Sequence, residues 1–196
     1  MKTIRIFFFV ALATVLMAAD CSNKDSEFYN DVFATAPNLV TVESSDIPED
    51  QSIYVHGNIP KTLTVDGLSQ PLDIYKTTGG ATKIDFSYEV EKQTNGIWDY
   101  IEITNDQVAT TKGETEVGYF VLAKAKYDAS TEAYEFHSGL HNLTAGTYRL
   151  SFGYNSNVNN IVEMRSESVN NNLYLNLSSP NTTDLDNAGY YYFTIN

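Results

Sequence analysis

The chain has 196 residues and a formal net charge of −13, with 25 acidic against 12 basic side chains. Such a surface repels phosphate backbones and anionic headgroups, which argues against nucleic acid as a partner. Cys21 is the only cysteine, so no disulfide can form within the chain and the fold must rest on its apolar core.

At the N-terminus, Lys2 and Arg5 precede an apolar run from Ile6 to Ala19, and the small residues Ala18 and Ala19 come just before Cys21. This is the layout of a secretory signal, too short to span a bilayer comfortably as a helix. Ser22, Asn23, Lys24, Asp25, Ser26 and Glu27 follow with no stop-transfer character. The segment resembles a bacterial lipoprotein signal, although Asp20 stands where such signals prefer a small residue. The resemblance implies removal of residues 1–20, a covalent diacylglycerol and acyl lipid on Cys21, and anchoring to the outer membrane. The alternative is a secreted protein in which Cys21 is incidental. Lys24, Asp25 and Glu27 also resemble the tag that carries Bacteroidota lipoproteins to the outer face of that membrane, against the plainer reading of a charged tether. Each buried methylene contributes about 0.8 kcal/mol, so two or three acyl chains would hold a soluble domain on a bilayer. Without Lys2, Arg5 and Asp20 the chain keeps 10 basic and 24 acidic residues, a net charge of about −14.

Residues 21–37 read as a lipidated tether in which Phe28, Tyr29, Val32 and Phe33 could dock on the domain or make one helical turn. From residue 38 onward period-two alternation predicts strands. Val40 with Val42, Ile53 with Val55, Leu63 with Val65, and Leu72 with Ile74 mark the first four, and Asp66-Gly67 is a tight-turn dipeptide. Ile84, Phe86, Tyr88 and Val90 face one way and Lys83, Asp85, Ser87, Glu89 and Glu91 the other. Asn95-Gly96 turns that strand into residues 97–104. An acidic connection, 105–116, leads to a long strand from Val117 to Tyr127. Asp128-Ala129-Ser130-Thr131 reverses it into Tyr134 and Phe136. Leu143-Thr144-Ala145-Gly146-Thr147-Tyr148 has the spacing of a tyrosine corner, in which a strand tyrosine sends its hydroxyl back to upstream backbone. Residues 155–172, rich in Asn and Ser, read as a long loop. Leu173, Leu175 and Leu177 predict one further strand, and Gly189 to Ile195 the last.

About nine or ten short strands with a tyrosine corner predict an all-β fold, a Greek-key β-sandwich spanning residues 38–196. The stretch from Tyr127 to Leu150 is similar to the B-type repeats of bacterial collagen adhesins and their prealbumin-like relatives, which implies immunoglobulin- or prealbumin-like architecture and a stalk or spacer role. Gly96-x-Trp98 also resembles the lipocalin signature, with an up-and-down barrel as the rival fold, but it falls mid-chain within a hairpin.

Signals for chemistry are sparse. No nucleophile elbow, phosphate loop or dinucleotide fingerprint is present. His137-x-x-x-His141 has metal-ligand spacing only on a helix, and this segment predicts a strand. Asp184, Asp186 and Asn187 partly match a calcium loop, but Ala188 breaks the pattern and a turn is the simpler account. Trp98, Tyr100, Tyr190, Tyr191 and Tyr192 occupy both strand parities, so some must leave the core face, where they could stack on sugar rings or anchor a protein. The expected function is a non-enzymatic, surface-tethered binding or accessory module for a glycan or an outer-membrane protein, with no metal or other cofactor. The alternatives are a structural spacer or adhesin-like domain and a glycan-active enzyme.

Overall fold

A computed structural model describes residues 30–44, 51–65, 67–170, 173–180 and 185–196. The architecture is all-β: fifteen strands among the described residues, all but two of them in one curled sheet, as in a β-sandwich. The strands are β1 (Asn30–Thr35), β2 (Val40–Ser44), β3 (Ile53–Pro60), β4 (Thr62–Leu63), β5 (Leu72–Asp73), β6 (Lys83–Thr94), β7 (Ile97–Tyr100) and β8 (Val108–Lys112). They continue with β9 (Glu114–Glu116), β10 (Val121–Asp128), β11 (Ala133–Leu140), β12 (Gly146–Ser151), β13 (Ile161–Glu167), β14 (Leu173–Pro180) and β15 (Tyr191–Ile195). Two single helical turns are α1 (Ile74–Thr77) and α2 (Gly153–Ser156). No helix among the described residues is long and apolar enough to cross a membrane.

The main hydrogen-bonded path runs β1-β14-β13-β6-β10-β11-β3-β2. Its two ends are consecutive in sequence and joined by residues 36–39 alone, which can span less than about 20 Å. The sheet therefore has to curl until its edges approach. Non-sequential neighbours exclude an up-and-down order.

β6 is the hub. Its first half pairs with β10 and β13, and its second half pairs with β7 and β12, with β15 beyond β12. Ile84, Phe86, Tyr88 and Val90 are buried, as alternation predicts, and they meet Phe136, Leu150, Phe152 and Met164 in one core. Asn95 and Gly96 both have positive φ, the conformation a two-residue hairpin requires.

Several elements depart from the sequence reading. Residues 30–35, within the stretch read as a tether, form β1 at the sheet edge next to β14. The expected strand at Leu72 and Ile74 stops at Asp73, whose carboxylate accepts from the Lys76 N–H and caps α1. The acidic connection 105–116 is structured: a 3-10 turn at Asn105–Gln107, then β8 and β9. These two strands wedge between β10 and β11 where they splay apart, β8 pairing with β11 and β9 with β10. The long strand expected from Val117 begins only at Val121. The segment 155–172 contains β13, at the centre of the sheet between β14 and β6. Val162, Met164 and Ser166 face inward there, and the polar alternates Glu163, Arg165 and Glu167 face outward. With these pieces the strand count exceeds the nine or ten expected.

Candidate functional site: the outward face of β6

The odd-numbered side chains of β6 share one face, opposite the core. Around them the fold assembles three zones.

The first is aromatic. Register places Tyr100 opposite Glu91, Glu91 opposite Arg149, and Arg149 opposite Tyr192, so these four form one row across β7, β6, β12 and β15. With strands about 4.8 Å apart, the row is about 14 Å long. Arg149 is its organiser. Its Nε and Nη2 donate to the two carboxylate oxygens of buried Glu91 at 2.6 and 2.9 Å. Its guanidinium lies over the Trp98 ring at 4.6 Å and over the Tyr190 ring at 3.9 Å. Hydrogen bonding to Glu91 pushes the guanidinium pKa up, so the cation is permanent. Trp98 meets Tyr192 edge to face at 5.7 Å, and Tyr190 lies 6.2 Å from Tyr192. Tyr100 is 54% exposed and Tyr192 47%. Burial, then the charges of Glu89 and Glu91, pushes the Tyr100 hydroxyl pKa up.

The second zone is a bridge at mid-strand. Asn155 of α2 donates to the Ser87 hydroxyl at 2.7 Å. The next residue back, Tyr154, stacks on Phe120 with centroids 4.2 Å apart. α2 thereby covers the middle of the face.

The third zone is a cleft of about 620 Å³ at the start of β6, walled by β6, β10, β13 and α2. Asp85 lines it, directly across from Lys124 on one side and Arg165 on the other. The lysines are committed elsewhere: Lys83 and Lys126 pair with Glu114 at 2.6 and 2.5 Å, and Lys124 pairs with Glu116. These two hydrogen bonds hold the Glu114 carboxyl down at about 2. Asp85 goes the other way. Desolvation outweighs the pull of Lys124 and Lys83 and raises its pKa.

The residues singled out by sequence divide as follows. Trp98, Tyr100, Tyr190 and Tyr192 gather around the Glu91–Arg149 pair, whereas Tyr191 has the opposite parity and packs towards the core with Phe193. Cys21 and Asp184 lie outside the described residues. Asp186 uses one carboxylate oxygen to accept from the N–H groups of Ala188 and Tyr190, both at 2.9 Å, which is a turn-forming role. Among the described residues no three metal-ligating side chains converge. His137 does not meet His141; it stacks on His56 at 4.2 Å and on Tyr54 at 5.3 Å.

Sequence reasoning missed Arg149, Glu91 and Asp85 as site residues. Alternation does turn all three outward, but their partners are set by inter-strand register over long separations. Comparison of the chain with protein-family models, with curated proteins and with solved structures finds no match.

Proposed function

We propose that the protein is a lipid-anchored, non-enzymatic recognition module of a bacterial outer membrane, with the aromatic row around Arg149 as its binding surface for a glycan or an envelope protein. The observation that carries this reading is the assembly of Trp98, Tyr100, Tyr190 and Tyr192 on one outward face, two of them about half exposed. Stacking on sugar rings and anchoring of protein partners both need adjacent flat surfaces with apolar area and a polar edge. Here the rings are also fixed in advance. Arg149 is clamped by Glu91 and sandwiched between Trp98 and Tyr190, so little side-chain freedom remains to be lost on binding.

Anchoring rests on the lipoprotein-like signal ending at Cys21 and its charged follow-on, which together favour the outer surface of the cell. The tyrosine corner at Tyr148, with the likeness of residues 127–150 to B-type adhesin repeats, supports a second reading as a spacer domain. A screen of the detergent-solubilised full-length protein against a glycan array and against solubilised envelope proteins separates the two. Binding that depends on Tyr100 or Tyr192 supports recognition; no binding to either library supports the spacer.

A further inference from the structure

Asp85 stands out in the cleft because its Oδ1 is shielded from solvent yet accepts no hydrogen bond among the described residues. Leaving a buried acceptor unmatched is costly, and most such atoms in folded proteins are matched. The cations nearest to it are turned elsewhere: Lys83 donates to Glu114 and Lys124 to Glu116. Arg165, directly across in register, is exposed and makes no ion pair among the described residues. The fold thus sets the Asp85 carboxylate and the Arg165 guanidinium on one concave space, with amide, carboxylate and apolar groups around them.

We propose that this cleft is a binding site for a neutral sugar, seated by hydroxyls that donate to the Asp85 carboxylate and accept from Arg165. Three features select that chemistry. The wall alternates in sign, with Lys83 and Arg165 against Asp85, Glu163 and Glu167, so a bound anion would meet three carboxylates and a bound cation two basic groups. A hydroxyl is donor and acceptor at once, and a ring bearing several can satisfy both signs without carrying charge. Phe86, Leu122 and Val169 add apolar wall for the C–H face of a sugar, and a space of about 620 Å³ holds one or two rings. The elevated carboxyl pKa of Asp85 follows from the same desolvation that makes its oxygen a strong acceptor for an incoming donor.

The site does not need the aromatic row, so the two claims fail separately. The test titrates the full-length protein with glucose, galactose, mannose, N-acetylglucosamine and their disaccharides, followed by calorimetry or saturation-transfer NMR, with glucosamine and galacturonate as charged controls. The expected result is binding of at least one neutral sugar, weakened tenfold or more by Asp85→Ala and unchanged by Tyr192→Ala. Asp85→Asn, which keeps a carbonyl oxygen, should weaken binding less than Asp85→Ala. Both variants remove a poorly solvated charge and should fold with an unchanged or higher Tm. The proposal is overturned if no neutral sugar binds, if only a charged control binds, or if Asp85→Ala binds as tightly as the parent. Binding lost in Tyr192→Ala but kept in Asp85→Ala would also overturn it, while leaving the recognition surface standing.

Discussion

At the scale of single residues, a few polar groups that alternation marks as outward carry large energetic leverage. Glu91 is 5% exposed and, among the described residues, its charge is matched by Arg149 through two hydrogen bonds. Arg149→Ala should leave that carboxylate buried and unpaired and cost about 3–5 kcal/mol in a denaturant titration. Tyr148 is a second point of leverage, on the inward side. Its hydroxyl donates to the Thr144 carbonyl, its ring stacks on Phe193 at 5.3 Å, and Lys92 lies over the ring at 5.1 Å. The spacing L-x-x-G-x-Y announced this corner, since it needs only local sequence. Tyr148→Phe should keep the fold and lose about 1–3 kcal/mol. Asp85 should behave in the opposite way. Its folded pKa is raised above the ordinary value of 3.8, so its ionisation opposes folding once the pH passes the unfolded pKa. Asp85→Asn should therefore raise Tm at pH 7, and the gain should fade as the pH falls below about 4. A variant no more stable at pH 7 than the parent would contradict the cleft's electrostatics.

At the scale of elements, the strands with clean alternation and local turns were legible, and those defined by long-range pairing were not. β6 and β7 were readable because Asn95-Gly96 fixes the hairpin and five outward polar residues alternate with four apolar ones. β13 was obscured because its inward set is Val162, Met164 and Ser166, too weak an apolar signal amid Asn and Ser, although its neighbours β6 and β14 pair with it on both sides. The β8–β9 wedge was obscured for another reason. Its outward Glu and Thr residues have no apolar period, and its place is set by the lysines of β10, with ion pairs running diagonally from Glu114 to Lys126 and from Glu116 to Lys124. Gly113 links the two strands at φ 81°, and a Cβ there would lie 2.5 Å from the Lys124 carbonyl and 3.0 Å from Phe136. Gly113→Ala should force the fork apart and destabilise the protein by about 1–3 kcal/mol from backbone strain alone. Amide exchange should show β8 and β9 losing protection before β6. Uniform loss across the sheet would mean that the wedge is not an independent element.

For the whole molecule, the curled sheet divides the chain's aromatic residues between a core and a surface. Phe86, Tyr88, Tyr134, Phe136, Tyr148 and Phe152 are buried, while Tyr100 and Tyr192 remain about half exposed beside Trp98 and Tyr190. Composition could show that the chain has more aromatic residues than one sheet face needs, but only strand order could bring residues near 98 and near 191 onto one row. The proposed anchor makes its own prediction: Cys21→Ser should move the protein from the membrane to the soluble fraction, and mass spectrometry of the native protein should find a lipid on Cys21. Recognition through the aromatic row is tested by binding of the Tyr100→Ala/Tyr192→Ala double variant, compared with the parent on whichever glycan or envelope protein the screen returns. Both side chains are about half exposed, so Tm should stay within a few degrees. Binding should weaken tenfold or more at unchanged stability; binding as tight as the parent's, with both tyrosines gone, would rule out the row as the recognition surface.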